Sequence, residues 1–262
     1  MVYFIKKYIT SNMDCINRMY LGYTKRVWQR NGFYIDISDY PSIMVAGEHE
    51  DTLKQVLTLI GTNVNIRSFD SEIITEVYSE KSNVGNKYST FKNIYDNKSI
   101  ESLLLEIKQD VTQRLTEFKK LEVVNINKFN EKAKQPMKRR VVIIDGFEDV
   151  MDNIIVLGLY KDLTTRMRIA GITLLAVVNT DKLMQSKRSS LFSQLSKVQN
   201  QMIQHFPCKI LTKTYEKIEK FPYDTQNLKD NQMIVEYGKY KRENGLLGEL
   251  ISDVLQIPKF QT

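Results

Sequence analysis

Residues 139–149, RRVVIIDGFED, constrain the fold more than any other stretch of this chain. Val141, Val142, Ile143 and Ile144 form an unbroken apolar run, the pattern of a short strand buried on both faces. Asp145 ends it. An acidic residue at the carboxyl end of a central parallel strand sits where open α/β sheets bind their ligands, and in nucleotide hydrolases that position holds Mg²⁺. The following position, often the carboxylate that polarises the attacking water, is Gly146. An apolar run ending in Asp is common, so its meaning depends on what lies upstream.

Upstream, residues 43–60 (IMVAGEHEDTLKQVLTLI) read as a buried strand from Ile43 to Ala46, a turn opened by Gly47, and a helix. Leu53, Val56, Leu57 and Ile60 follow the i, i+3, i+4, i+7 spacing of a helix with one buried face. Strand, loop and helix in that order are the setting of the phosphate loop G-x-x-x-x-G-K-[ST]. There, glycines turn successive N–H groups toward phosphate, a lysine neutralises charge and a hydroxyl holds the metal. Laid on without gaps, Gly47 is the first glycine, Thr52 replaces the second, Leu53 the lysine and Lys54 the hydroxyl.

The same segment carries Glu48, Glu50 and Asp51 where a triphosphate would sit. Two like charges about 4 Å apart repel by about 4 kcal/mol at an effective dielectric near ~20. Three carboxylates therefore oppose nucleotide binding, while suiting the positive end of the helix dipole. Taken alone, the segment is equally well a plain strand and helix with an acidic start.

The rest of the chain supplies the framework. Ile100, Leu103, Leu104, Ile107, Val111, Leu115 and Phe118 put one apolar face on a long helix over 99–121. VVNINKFNEK (123–132), the strand VVIID, a helix over 159–171 and a second buried strand, ITLLAVVN (172–179), follow, with Gly171 placed as the helix C-cap. CKILTK (208–213) and QMIVEYG (232–238) read as further strands.

In this order, QRLTEFKKLEVVNINKFNEK before VVIIDGFEDV, then TTRMRIAGITLLAVVNT and FPCKILTKTYEKIE, resembles the FtsK/SpoIIIE family of P-loop motor ATPases over roughly residues 33–240. The chain departs from that family in its phosphate loop, at Gly146, where a glutamate is usual, and at Val178-Asn179, where Thr-Gln is usual. It is most similar to the degenerate terminal ATPase domain of EssC-type coupling proteins of type VII secretion. The resemblance implies an α/β, P-loop NTPase-like (RecA/FtsK-like) fold, a mostly parallel sheet with helices on both faces. Gly47, Thr52, Leu53, Lys54, Asp145, Gly146 and Asn179 are then the degenerate nucleotide positions. It also implies recognition of secreted helical substrates of the WXG100 kind, contact with other domains of a coupling protein, and a possible ring of like subunits. The place would be the cytoplasmic side of the membrane, within a larger anchored protein. No catalytic residue, metal or cofactor is expected, ATP with Mg²⁺ being the doubtful candidate. A weakly active motor, using Lys54 or a neighbouring subunit's lysine, is the alternative.

Composition excludes some classes. At 262 residues with 42% hydrophobic content, the chain suffices for one large α/β domain. No apolar run approaches the roughly 20 residues that span a bilayer, and no signal-peptide pattern opens the chain. Cys15 and Cys208 are too few for a disulfide framework and lie in no metal-ligand spacing. The net charge of +7 is spread along the chain. The basic 125–140 segment, with Lys128, Lys132, Lys134, Lys138, Arg139 and Arg140, has no series of aromatics interleaved with its basic residues, Phe129 standing by itself, so a DNA translocase is a third reading and no DNA partner is expected.

Three segments complete the expectations. Ile9, Met13, Ile16, Tyr20, Tyr23 and Val27 recur at helical spacing, making 1–31 a connecting helical segment before a domain over 32–262 whose first strand is FYIDI (33–37). Residues 78–98, polar and rich in Asn, Ser and Lys, read as a mobile surface loop. Near the C-terminus Leu247, Leu250, Ile251 and Val254 make a short apolar helix face stopped by Pro258. That face is core or, if exposed, a docking place for a substrate helix.

Overall fold

The computed structural model describes residues 18–26, 29–67, 73–82, 84–188, 195–216, 218, 221, 225–240 and 247–258. In chain order the elements are β1 (Arg18–Arg26), β2 (Gln29–Asp36), β3 (Ser42–Gly47), α1 (Glu50–Arg67), β4 (Ile73–Ser79) and β5 (Asn93–Tyr95). These are followed by α2 (Ile100–Lys120), α3 (Ile126–Lys132), β6 (Arg139–Asp145), α4 (Ile154–Ala170) and β7 (Ile172–Asn179). The last are α5 (Thr180–Arg188), α6 (Lys197–Gln204), β8 (Cys208–Leu211), β9 (Gln232–Tyr240) and β10 (Leu247–Gln256).

The strands form one ten-stranded sheet in the order β2-β1-β10-β9-β8-β3-β7-β6-β4-β5. From β8 to β5 every neighbouring pair is parallel; from β8 back to β2 every pair is antiparallel. The parallel half is sandwiched. Ile43, Val45, Ile143 and Val177 point to one face, where Leu53, Val56, Leu57 and Ile60 of α1 meet them. Met44, Ala46, Val142, Ile144 and Ala176 point to the opposite face, under Leu103, Leu104 and Ile107 of α2 and Leu157, Tyr160 and Leu163 of α4. Strands covered on both sides need apolar residues at every position, which is why β3, β6 and β7 read as continuous runs.

Helix ends follow local chemistry. The Ser99 hydroxyl accepts from the Ser102 N–H at the start of α2, and Asn153 caps α4. Gly171 ends α4 with φ of +74°, the left-handed geometry expected of it. Among the described residues no helix is long and apolar enough to cross a membrane.

Two expectations are corrected. The segment read as a connecting helix holds strand β1 over Arg18–Arg26 and, from Gln29, the beginning of β2, so FYIDI lies in the second strand, on the sheet's edge. Ile9, Met13, Ile16 and Val27 lie outside the described residues. At the other end, Leu247, Leu250, Ile251 and Val254 lie on a strand, β10, that pairs with β9 and β1. A strand presents no helical face, so the one expected of these four is absent. Val254 is exposed at 50%, whereas Leu255 and Ile257 are buried.

Candidate functional site

The carboxyl ends of β3, β7, β6 and β4 form one rim. The register pairs Gly47 with Asn179 across β3 and β7, Asp145 with Val177 across β6 and β7, and Ser79 with Asp145 across β4 and β6. Gly47, Asp145 and Asn179 thus come together as expected. Beside the rim lies a cleft of about 820 Å³, bordered by Glu50, Thr52 and Lys54 of α1 and by Lys81, Lys87 and Asp145.

The connection from β3 to α1 is short. Strand β3 ends at Gly47 and α1 begins at Glu50, leaving only Glu48 and His49 between them. Both are tied to the chain that continues β8. The Glu48 N–H donates to the Lys213 carbonyl at 3.3 Å, and the Glu48 carboxylate accepts the Tyr215 N–H. His49 packs edge-on against the Tyr215 ring. Thr52 and Leu53, aligned with the second glycine and the lysine of a phosphate loop, lie inside the first turn of α1 and are buried. Leu53 belongs to the core, and Lys54 is exposed at the cleft. Glu50 and Asp51 occupy the first turn, where they complement the helix dipole.

Gly47 has a local reason to be glycine. A Cβ built there would overlap the Thr212 hydroxyl, whose backbone N–H donates to the Ala46 carbonyl at 2.8 Å. Gly47→Ala is therefore expected to cost about 1–3 kcal/mol, the usual range for overpacking. Thr212→Ala in the same chain should recover much of the loss, as urea denaturation of the single and double variants will show.

Asp145 is almost fully enclosed and its partners come from the last residue of β4 and the segment that follows. Its Oδ1 accepts from Lys87 Nζ and from the Tyr88 hydroxyl, both at 2.6 Å, and its Oδ2 lies 3.5 Å from Ser79 Oγ. Burial pushes the Asp145 carboxyl up, but Lys87 and Tyr88 outweigh it and hold the group below the ordinary range. Tyr88 is wholly buried, and burial with the adjacent Asp145 charge raises its phenol well above normal.

This is the main departure from the sequence expectation for 78–98. Instead of a mobile surface loop, the segment completes β4, forms β5 and packs Val84, Tyr88 and Phe91 against α1 and the sheet. The interleaved Tyr88 and Phe91 were the available signal, hidden among Asn, Ser and Lys.

Gly146 takes a left-handed conformation, φ +76°, that turns the chain from β6 into a short helical turn, Phe147–Val150. A side chain there would be strained, and its Cβ would lie 2.9 Å from Lys81 Nζ. The turn brings in Glu148, which the sequence did not single out. Its Oε2 accepts the Asn179 N–H at 3.0 Å, and Lys81 and Lys182 lie at 3.6 and 4.0 Å from its Oε1. Burial raises the Glu148 carboxyl, opposed by the Asn179 N–H and Lys81. Asn179 also accepts the Lys182 N–H on its side-chain oxygen, linking β7 to α5.

The basic 125–140 segment is partly neutralised. Lys128 pairs with Glu131, Arg139 donates to Asn127, and Arg140 is held by Glu76 and Asp110. Leu250 and Leu247, on β10, belong to the antiparallel half of the sheet, beyond β9 and β8 from the rim.

A parallel sheet with helices on both faces, an acidic residue ending the central β6 and a strand-to-helix turn at β3 make a fold that this chain shares with solved ATPase domains. Among solved structures the chain is similar to the pCW3 conjugation coupling protein TcpA, in monomer form with ATPγS: 17% identity over 88% of this chain and 65% of that one, TM-score 0.62. It is also similar to ATPases 2 and 3 of EssC from Geobacillus thermodenitrificans, with 13% identity over 94% of this chain and 46% of that one, TM-score 0.59. ATPases 2 and 3 of EccC from Thermomonospora curvata, in complex with a signal sequence peptide, give 14%, 94%, 41% and a TM-score of 0.63. The chain thus spans less than two thirds of each of these chains. No family model matches it, and no curated protein matches it in sequence.

Proposed function

We propose that this chain is a non-hydrolysing module of a type VII secretion coupling protein, holding substrate and neighbouring domains in place rather than driving them with ATP. The observation that carries the reading is the connection between β3 and α1. Glu48 and His49 are the only residues between strand and helix, and both engage the 213–215 segment. A phosphate cradle needs several successive N–H groups facing the ligand and a lysine at the helix start. Here the Glu48 N–H is spent on Lys213, and the helix opens with Glu50 and Asp51. The residues present do not fit Mg-ATP, and no catalytic step is assigned to them.

The recognition half of the proposal draws on the fold neighbours: EccC was solved with a signal sequence peptide. Secreted helical proteins of the WXG100 kind are the partners proposed, with this chain on the cytoplasmic side of a membrane as part of a longer one. The four residues of β10 first considered as a helix-docking face are not carried into this proposal.

Isothermal titration with Mg-ATP tests the first half. No saturable heat is expected at millimolar nucleotide, and micromolar affinity would return the chain to the weakly active motors. Titration with purified secreted helical proteins from the same cell tests the second half. Binding is expected for at least one of them, and failure with all would leave assembly as the only role.

A further inference from the structure

The parallel sheet has a second end. Strand β6 runs from Arg139 to Asp145, so its amino end lies about 20 Å from the rim at roughly 3.3 Å per residue. There the last turn of α2, helix α3 and the 133–138 connection pack together around Phe118, Ile126 and Phe129, with Val123, Ala133 and Met137 against them. Asn130 clamps the connection, its amide donating to the Met137 carbonyl at 2.9 Å and its oxygen accepting the Met137 N–H at 2.8 Å. Arg114 ties this assembly to the sheet by donating to the Lys138 and Ala170 carbonyls. The surface it presents is therefore braced from within.

Its charge is one-sided. Lys119, Lys120, Lys128, Lys132, Lys134 and Lys138 are all exposed. Glu117 holds Lys120 and Glu131 holds Lys128, which leaves Glu122 as the last carboxylate of 117–140 against Lys119, Lys132, Lys134 and Lys138. Those four lysines have no carboxylate partner among the described residues. Beside them Arg139 and Arg168 border a shallow hollow of about 360 Å³ with Val124 and Ile169, Asp39 being its acidic residue.

Aliphatic side chains stand among these charges. Val124 is 73% exposed, Leu121 37% and Ile169 36%. Solvated lysines need no partner, and single exposed aliphatics are ordinary. Both kinds together on one braced end are the informative combination, because a bilayer surface rich in acidic lipid satisfies each: headgroups face the ammonium ions, and the boundary with the acyl chains takes the aliphatic tips. Nucleic acid fits less well. The surface offers no series of aromatic faces for bases, and lysine, a mobile point charge, outnumbers the planar arginine fork.

We propose that the amino end of the parallel sheet docks on an anionic bilayer surface, with Lys119, Lys132, Lys134 and Lys138 facing acidic headgroups and Val124 and Leu121 entering between them. Docked in this way, the chain turns its strand-end cleft away from the lipid. Contact of this chain with lipid is measured by neither the nucleotide nor the substrate titration, so either reading can fail without the other.

The test is co-sedimentation of the full chain with vesicles of phosphatidylcholine, alone or mixed equally with phosphatidylglycerol. Binding is expected to the mixed vesicles only, and to weaken as added salt screens the lysines. Replacing Lys119, Lys134 and Lys138 together by Gln should lower partitioning about a hundredfold, at about fivefold for each lysine near an anionic surface. Lys54, Lys197 and Lys229, exposed elsewhere on the chain, make the same change in net charge when replaced by Gln, and that variant should bind like the parent. Val124→Ser should weaken binding without altering its salt dependence, since it removes apolar contact and no charge. Thermal unfolding of each variant separates loss of binding from loss of fold. If the triple variant at 119, 134 and 138 is unfolded, Lys134→Gln with Lys138→Gln takes its place, with a loss of about twenty-five-fold expected. Equal binding to both kinds of vesicle, or equal losses in the two triple variants, would overturn the proposal. So would absence of binding to mixed vesicles at low salt, and a duplex DNA fragment held through the same lysines would then assign this end to nucleic acid.

Discussion

Lys209→Met is expected to destabilise the fold by about 3–5 kcal/mol, the range for removing one partner of a buried ion pair. Lys209 on β8 and Glu236 on β9 face each other across the antiparallel junction, with side chains only 7% and 3% exposed. Lys209 Nζ donates to Glu236 Oε1. Without the lysine, Glu236 keeps a charge with little water to solvate it. Glu236→Leu alone should be similarly costly. Lys209→Met with Glu236→Leu is a different case, because neither charge remains and the pair's own desolvation cost disappears. That double variant should lie close to the parent stability or above it. Urea denaturation of the four proteins closes the cycle. An additive double variant would mean that the two side chains contribute separately rather than as a pair.

Asp145→Asn is the second large effect, at about 3 kcal/mol, the lower end of the same range because Lys87 keeps partial access to water. Acid should reproduce part of it. The Asp145 carboxyl is depressed in the folded chain, so its stabilisation is complete above its ordinary value of 3.8 and is lost as pH falls through the lower folded value. Glu148 behaves in the opposite sense. Its carboxyl is raised, so the stability it favours is present below the ordinary 4.5 and declines as pH rises through the folded value. Unfolding temperature against pH should therefore fall less steeply on the acid side in Asp145→Asn, Asp162 keeping its own share. In Glu148→Gln, which keeps an acceptor for the Asn179 N–H, the decline above pH 4.5 should flatten. Profiles parallel to the parent in both variants would remove these two groups as the source of the pH dependence.

The parallel half of the sheet was legible because burial on both faces writes a local signature. VVIID and ITLLAVVN are apolar at almost every position, and the periodic faces of α1 and α2 point at them. Of the antiparallel half, β9 was legible as QMIVEYG and β2 in part as FYIDI, whereas β1 and β10 were not, for a specific reason. Both strands read as helices contain a register shift, between Tyr20 and Gly22 in β1 and between Leu247 and Leu250 in β10. A shift in register interrupts the simple alternation of sides, so neither strand carries an unbroken two-residue period. Their pairing is also remote in sequence: Tyr23 lies beside Gln256.

The site divides in the same way. Gly47, Asp145 and Asn179 were placed correctly because strand ends in a parallel sheet converge by topology. Lys87, Tyr88 and Glu148 were missed because their roles depend on turns that no spacing announces. Gly47 itself was read through phosphate, whereas its close neighbour is Thr212.

The two residues between Gly47 and Glu50 also decide what grafting could achieve. The spacing of a phosphate loop is intact in the sequence, so a lysine at position 53 and a hydroxyl at 54 can be written in without inserting a codon. They would enter a helix already begun at Glu50, behind a turn whose Glu48 and His49 are tied to the 213–215 segment. Restoring the letters of the motif would leave its backbone in another shape.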